Sequence, residues 1–348
     1  MNYSLHCWCG NTNLNFFSPV YLRCPACETL VFAKMPRPAA LRVPDDDSGL
    51  YGREYWFSHQ EHNYGYGNII TRTRTDLSER CLHWLRTVLK YKLPSGRTLE
   101  LGCAHGAFVA LLRQVGFDST GLELSPWVVD FSRRTFKVPV LCGPVEEQQI
   151  EPASLDVIAL MDVLEHLPDP VGTIRHCLGL LKPDGILVIQ TPRYQEQKAY
   201  DEMVVRDDPF LEQLKDDEHL YLFSHNSIRD FFVRLGAEYL EFEPAIFAHY
   251  DMFLVVSRQP LNVNTQDKID ELLSSTPASR IVQALLDADD RATQLNRRLQ
   301  ESEADRAARL DQINELTRLL AISESDRAAR LDQINELTRL LHNSQLSK

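Results

Sequence analysis

The chain has 348 residues and a formal net charge of −12 at pH 7. This length exceeds one ordinary domain and is enough to bury a full core. Excess acidic charge repels nucleic-acid phosphates, so we expect no nucleic-acid partner. No N-terminal secretion signal and no apolar run of membrane-spanning length is apparent, so we expect no membrane span and a cytoplasmic location.

Four cysteines form two close pairs near the N-terminus: Cys7 with Cys9, and Cys24 with Cys27. Each pair has turn-forming neighbours, and thiolates from two such turns can bind one tetrahedral zinc. Four protein ligands leave no position for water, so this zinc would be structural. Incidental cysteines or a disulfide pair are the alternatives. We predict a zinc-ribbon-like module over residues 1–33.

Residues 34–96 are predicted to form a linker and an N-terminal cap. The linker begins with a Pro-rich stretch, and a helix is expected near 77–89. Between them lies a segment dense in tyrosine and histidine, residues 51–66. This segment could be a lid over a bound ligand or a packed cap, and the sequence leaves both interpretations open.

A glycine-containing turn follows the first strong strand pattern, where residues 98–108 read TLELGCAHGAF. Gly102 and Gly106 would let the backbone approach a ligand closely. Glu123 closes the next apolar run, where an acid can hold the two hydroxyls of a ribose. Glu100 beside the turn would repel a pyrophosphate but suits a ligand that carries an ammonium group.

Apolar strand patterns alternate with helical patterns beyond residue 97. Strands are expected near 97–101, 118–123, 138–142, 155–161 and 184–190. Such alternation predicts an α/β fold with a parallel sheet covered on both faces.

Residues 162–170 read DVLEHLPDP and residues 184–192 read DGILVIQTP. With these motifs, the chain resembles the class I S-adenosylmethionine-dependent methyltransferases, in particular a bacterial group with a DVLEHLxDP segment. The resemblance covers about residues 60–258. It implies an enzyme with a Rossmann-like, seven-stranded, mostly parallel sheet in a domain over 97–260.

The resemblance also implies how the cofactor, S-adenosylmethionine, is bound. The glycines would contact its methionine part, the first acid would orient its polar end, and the second acid would bind the ribose. The implied cofactor-binding residues are Glu100, Gly102, Gly106, Glu123, Met161 and Asp162. The family often has an acid for the adenine amino group where this chain has Pro144, so the adenine contact is left open between Val145 and Glu146.

Methyl transfer from a sulfonium mainly requires an aligned nucleophile and a group that removes its proton. Histidine suits that task near neutral pH. His219 lies in a segment, HLYLFS, that resembles the family's acceptor side, and His166 follows the fourth strand. Either histidine could instead only shape the pocket. In a less favoured alternative, Asp162, Glu165 and His166 share a helix face and bind a catalytic Mg²⁺ or Mn²⁺.

The acceptor class follows only from the resemblance. Bacterial enzymes with this arrangement of modules modify sugars, sugar nucleotides or surface polysaccharides, so we predict methylation of a glycan hydroxyl, or of an amine or carbon. The alternatives are O-methylation of a small-molecule or quinone-like acceptor, and an inactive scaffold that acts through its coiled coil.

An internal repeat dominates residues 261–348. The sequence of residues 305–320 recurs unchanged at 326–341, three heptads later. Leucine and isoleucine occupy heptad core positions, although Arg306 and Arg327 interrupt the apolar seam. We predict a helical coiled coil that makes the protein a homo-oligomer.

Overall fold

The computed structural model describes residues 5–36, 51–59, 67–215 and 218–346. Its contacts define one compact unit that ends at Ala284 and a second that begins at Leu285. The domain boundaries expected after residues 33, 96 and 260 remain predictions. Much of the predicted Pro-rich linker and of the Tyr/His-dense segment lies outside the described residues. Within the described part of the chain, no helix is long and apolar enough to cross a membrane.

A seven-stranded sheet forms the centre of the first unit, in the order β10-β11-β8-β7-β4-β5-β6. Its strands are β4 (Arg97–Leu101), β5 (Asp118–Glu123), β6 (Val140–Cys142), β7 (Leu155–Met161), β8 (Leu181–Pro192), β10 (Tyr239–Glu243) and β11 (Asp251–Ser257). Strands β4 to β8 pair in parallel, whereas β11 pairs antiparallel with both β8 and β10. The predicted α/β fold and its mostly parallel sheet are confirmed.

Helices accompany this sheet, and those that follow β4, β5 and β7 pack on it, as a parallel sheet requires. They are α1 (Ile69–Asp76), α2 (Leu82–Tyr91), α3 (Ala107–Gln114), α4 (Pro126–Phe136), α5 (Pro170–Leu180), α6 (Tyr200–Arg206), α7 (His225–Arg234) and α8 (Gln266–Leu273). Side-chain caps fix several starts: Ser125 precedes Pro126 at α4, and Asp169 precedes Pro170 at α5. Both caps accept a backbone N–H that the helix itself leaves unpaired.

A second, four-stranded sheet has the order β1-β2-β3-β9. Strands β1 (Asn15–Phe16), β2 (Tyr21–Arg23) and β3 (Leu30–Phe32) come from the cysteine-containing segment. Strand β9 (Tyr221–Leu222) comes from about 190 residues later in the chain and pairs antiparallel with β3. The cysteine segment therefore shares backbone hydrogen bonds and apolar core with the remainder of the first unit.

Helix α9 (Pro277–Leu346) contains 70 residues and carries the internal repeat. At 1.5 Å per residue it is about 105 Å long. The leucine and isoleucine side chains of the repeat are exposed, at 58% for Ile313 and 65% for Leu316. The predicted helix is present, and its self-association remains a prediction.

Candidate active site

The loop between β4 and α3, which contains Gly102 and Gly106 and which we call the glycine loop, follows the carboxyl end of β4. Ligands of open α/β sheets bind at this end of the strands. Gly102 and Gly106 have φ angles of +66° and +84°, which side-chain-bearing residues rarely adopt. A Cβ at position 102 would lie 2.7 Å from Cγ2 of Val163. Glycine is therefore required on both steric and conformational grounds, and the loop stays close to the end of β7.

Glu123, at the end of β5, accepts hydrogen bonds from this loop. Its Oε2 accepts the backbone N–H of Ala104 at 3.1 Å, and its Oε1 accepts that of Leu124 at 2.7 Å. Burial raises the pKa of Glu123, and these backbone donors oppose the rise. A carboxylate accepts about four hydrogen bonds, so Glu123 can anchor the loop and still accept from a ligand.

Glu100 is buried beneath the same loop, with 4% of its surface exposed. Its Oε2 has no hydrogen-bond partner among the described residues. Burial, followed by the charge of Glu123, raises the pKa of Glu100 well above its usual value. A buried carboxyl that lacks a donor is a place where a ligand cation could be bound.

Asp162 follows β7 and is held by side chains that the sequence analysis did not single out. Its carboxylate accepts from Nε2 of Gln190 at 3.0 Å and from Nη1 of Arg80 at 3.3 Å. The indole N–H of Trp84 donates in turn to Gln190 Oε1 at 3.0 Å. Met161, the preceding residue, is buried. The end of β7 is thus fixed by a polar network that reaches from α2 to β8.

The two predicted histidines lie together, with ring centroids 4.9 Å apart. Nδ1 of His166 is 2.8 Å from the carbonyl oxygen of Glu218, and Nδ1 of His219 is 2.8 Å from that of Gln213. A carbonyl only accepts, so each Nδ1 carries the hydrogen and each neutral ring keeps Nε2 as its proton acceptor. Burial lowers the pKa of both rings, and His166 with Lys215 lowers that of His219 further.

Glu165 completes a cluster with these histidines. It is fully buried, and its Oε2 accepts the Thr191 hydroxyl at 2.9 Å. Its Oε1 is without a hydrogen-bond partner in the described parts of the chain. One potential ligand atom from each of Glu165, His166 and His219 lies within 4.8 Å of the other two. We call these three residues the Glu-His-His cluster.

The alternative metal site predicted from sequence required Asp162 to share a helix face with Glu165 and His166. The structure does not have that helix. Asp162 has a φ of +58° and precedes a short 3₁₀ turn, Leu164–His166. Its carboxylate is directed to Gln190 and Arg80, and His219 takes its place in the cluster. Asp162 therefore does not share a helix face with Glu165 and His166, because the backbone there is not α-helical.

Aromatic side chains lie next to the cluster, and we call Tyr51, Tyr55 and Trp56 the aromatic wall. The Tyr51 hydroxyl is 3.3 Å from Nδ1 of His166, and its ring centroid is 5.1 Å from that of Tyr55. Tyr55 and Trp56 pack with Val128 of α4. The described part of the Tyr/His-dense segment therefore lies between α4 and the candidate catalytic histidines.

His105, which was not among the residues predicted from sequence, connects the glycine loop to the end of α1. Its Nε2 donates to Oδ2 of Asp76 at 3.0 Å, and its Nδ1 accepts the N–H of Ala107. Burial alone would raise the pKa of Asp76, but His105 and Arg72 lower it to about 2. The position of His105 between Gly102 and Gly106 was the available signal in the sequence. Its partner, Asp76, can be identified only from the fold.

The four predicted metal-binding cysteines converge. Sγ of Cys7 lies 3.4 Å from Sγ of Cys27, and Sγ of Cys9 lies 3.6 Å from Sγ of Cys24. These distances are far too long for a disulfide, whose bond is about 2.05 Å. Tetrahedral zinc–thiolate bonds of about 2.3 Å place sulfurs about 3.8 Å apart, so the cluster has the composition and size of a zinc site.

Residues 73–241 match the family model described as a methyltransferase domain. These residues form a methyltransferase domain. The glycine loop and Glu123 lie within it, and the predicted methyltransferase fold is confirmed. The cysteine cluster and helix α9 lie outside the matched residues.

Curated relatives of this methyltransferase domain include two named ubiquinone biosynthesis O-methyltransferase. The one from Xanthomonas campestris pv. campestris (strain B100) is 35% identical over 105 residues, which cover 28% of this chain and 44% of the relative. The one from Bordetella avium (strain 197N) is 34% identical over 116 residues, covering 32% and 48%. The chain thus spans about half the length of these relatives.

Solved structures similar to the methyltransferase domain have low sequence identity. One is a chain of the complex between the Haloferax volcanii Trm112 methyltransferase activator and the putative methyltransferase, with 18% identity and a TM-score of 0.44 over 56% of this chain and 96% of that one. Another is a possible histamine N-methyltransferase from Thermotoga maritima, with 17% identity and a TM-score of 0.42 over 59% and 99%.

Proposed function

We propose that this protein is an S-adenosylmethionine-dependent O-methyltransferase that methylates a phenolic oxygen of a quinone-like acceptor. The observation that carries this proposal is the pair of buried imidazoles, His166 and His219, whose Nδ1 atoms donate to carbonyls and whose Nε2 atoms remain as proton acceptors. The relatives named for ubiquinone biosynthesis favour this acceptor over the sugar predicted from sequence. The intact loop and its acids speak against an inactive scaffold.

The residues present fit the cofactor. Gly102 and Gly106 would contact its methionine part, and the unpaired Oε2 of Glu100 would accept from its ammonium group. Glu123 would accept from the ribose hydroxyls. Met161 and Asp162 would contact the remaining cofactor surface at the end of β7. When bound, the cofactor supplies an electrophilic methyl group.

His219 is the proposed base. Its Nε2 is the free acceptor position, because Nδ1 already donates to Gln213. A phenol that binds at the aromatic wall would place its O–H towards the paired imidazoles, and His219 would take that proton. His166, bound to Glu218 and next to Tyr51, would orient the acceptor or act as the base in its place.

A second candidate is a metal-assisted version of the same reaction. The Glu-His-His cluster offers one carboxylate oxygen and two imidazole nitrogens at ligand spacing. Two nitrogen ligands favour manganese or zinc over magnesium. Such a cation would pair with the buried carboxyl of Glu165. A catechol, with two adjacent oxygens, is an acceptor that could chelate it.

The acceptor is tested by supplying methyl-labelled S-adenosylmethionine with a panel of a catechol carrying an isoprenoid tail, a simple catechol and a sugar nucleotide. We expect the label on a catechol oxygen, located by mass spectrometry, and no label on the sugar nucleotide. Label on the sugar nucleotide alone would contradict the quinone-like assignment and favour the glycan acceptor.

We also infer that the four-cysteine cluster binds one structural zinc. Elemental analysis of protein purified without added metal should find about one zinc per chain. Cys24→Ser should lower the zinc content sharply. Cys142→Ser, a change of the same kind at an exposed cysteine outside the cluster, should leave it unchanged. Substantially less than one equivalent in the wild-type protein would count decisively against this site.

We infer finally that helix α9 self-associates. The exposed leucines and isoleucines of the repeat form an apolar seam that a single helix cannot bury. Light scattering should give a multiple of the chain mass for the full chain and the monomer mass when residues 285–348 are removed. Leu337→Glu should dissociate the oligomer, and Gln333→Glu should not. A monomeric full-length chain would refute the coiled coil.

A further inference from the structure

The cysteine-containing sheet is joined to the acceptor side of the site through β9, which begins two residues after His219. Leu30 pairs with Leu222 and Val31 with Tyr221 in an antiparallel register. The backbone N–H of Phe32 extends this pairing by donating to the carbonyl of Leu220 at 3.0 Å. The backbone next to His219 is therefore bonded to a segment nearly two hundred residues earlier in the chain.

Tyr21 of β2 adds a side-chain contact to the same place. Its side chain is fully buried, and its hydroxyl lies 2.8 Å from the carbonyl oxygen of His219 and 2.7 Å from that of Lys215. The backbone N–H of His219 also donates to the carbonyl of Lys215, at 3.3 Å. One tyrosine hydroxyl thus contacts the backbone of the proposed base directly.

The opposite side of this backbone is tied to the Glu-His-His cluster. The N–H of Leu220 donates to the carbonyl of Glu165 at 2.8 Å. The segment from His219 to Tyr221 is therefore held between the turn that carries Glu165 and the sheet of the cysteine module. Trp8 of the module also packs edge-on against Phe231 of α7, with ring centroids 5.0 Å apart.

We propose that the four-cysteine module positions His219 for catalysis and that Tyr21 is a positioning residue. The module fixes the position of the backbone that carries His219. The turns that carry the four cysteines in turn fix the structure of the module. The catalytic part of this proposal rests on the proposed function. The cofactor-binding loop lies between β4 and α3, outside the bonded segment, so disturbance of the module should affect acceptor chemistry and spare cofactor affinity.

Tyr21→Phe removes only the hydroxyl, and Tyr194→Phe is its matched control. Tyr194 is also fully buried, but its hydroxyl has no hydrogen-bond partner within the described chain. We expect Tyr21→Phe to speed amide exchange in a peptide that covers residues 219–223 by about two- to tenfold, and to lower kcat similarly. The affinity for S-adenosylmethionine should be unchanged, and Tyr194→Phe should match the wild type in all three measurements.

A second perturbation, Cys24→Ser, covers the case in which Tyr21→Phe folds poorly. It should speed exchange in the same peptide and leave exchange in the glycine loop unchanged. Unchanged exchange at residues 219–223 in both variants would overturn the positioning role. Failure of the wild-type protein to methylate any acceptor would sink the proposed function instead, while amide exchange would still decide whether the module holds this segment.

Discussion

His219→Asn should lower kcat by about 10²–10⁴-fold, the usual effect of losing a positioned base. Asparagine is chosen because its amide N–H can replace Nδ1–H and keep the hydrogen bond to Gln213, while Nε2 is lost. The backbone bonds that hold this segment do not depend on the imidazole. Steady-state turnover of the catechol and calorimetry with S-adenosylmethionine measure the two effects, and cofactor affinity should stay at its wild-type value.

The matched control for this change is His225→Asn, which alters a half-buried histidine whose ring centroid lies 4.1 Å from that of Phe242 of β10. It should keep wild-type turnover. A His219→Asn enzyme with wild-type turnover would eliminate His219 and move the proposed base to His166. If a chelator abolished the activity and manganese restored it, the large loss would instead report the removal of a metal ligand, because the four thiolates of the cysteine cluster select zinc over manganese.

The pH dependence follows from the direction of the pKa shift. Burial lowers the pKa of His219 well below 6.5, so the ring is already neutral at neutral pH. Only the neutral ring can accept a proton, so kcat should stay level as the pH falls from neutral to 6.5 and decline in more acidic solution. The His219→Asn variant should lack this decline.

Glu123→Gln should weaken S-adenosylmethionine binding roughly 5- to 150-fold, or about 1–3 kcal/mol. The amide has the volume of the carboxylate but only one acceptor oxygen. Its NH₂ group would face the backbone N–H of either Ala104 or Leu124, both of which the carboxylate now accepts. The variant would therefore lose acceptors for the ribose and also loosen the glycine loop.

Calorimetry with S-adenosylmethionine measures this loss directly. Glu151→Gln, the same change at an exposed position, is the control and should bind like the wild type. Unchanged affinity in Glu123→Gln would remove Glu123 from the cofactor site. A loss in both variants would point to net charge rather than to a specific contact.

Local sequence patterns were sufficient to predict the α/β fold and the glycine turn after β4, whereas the cofactor-binding residues stay a prediction. Strand and helix periodicities are set by neighbouring residues, and the two glycines with Glu123 mark turns that any chain must make at the end of parallel strands. Tertiary pairs were not accessible in this way. His105 bonds to Asp76, and Arg80 bonds to Asp162, across long stretches of sequence whose approach depends on the completed sheet.

The acceptor side shows the same limit. The sequence named both histidines, but not that their rings lie together or that His219 joins Glu165. The helical spacing that grouped Asp162 with His166 failed because residue 162 adopts a left-handed conformation. The pairing of β3 with β9 was also missed, since two- and three-residue strands have no periodicity to detect. The motifs describe a fold and a cofactor that enzymes with many different acceptors share, so the motifs alone do not select an acceptor.

The most direct test of the central claim is a crystal structure of the protein with bound S-adenosylhomocysteine. We expect the ribose hydroxyls at hydrogen-bond distance, about 2.7 Å, from the Glu123 carboxylate. We expect the amino group of the ligand near Glu100 and its sulfur on the side of His166 and His219. A ligand bound elsewhere, or a ribose that does not contact Glu123, would contradict it.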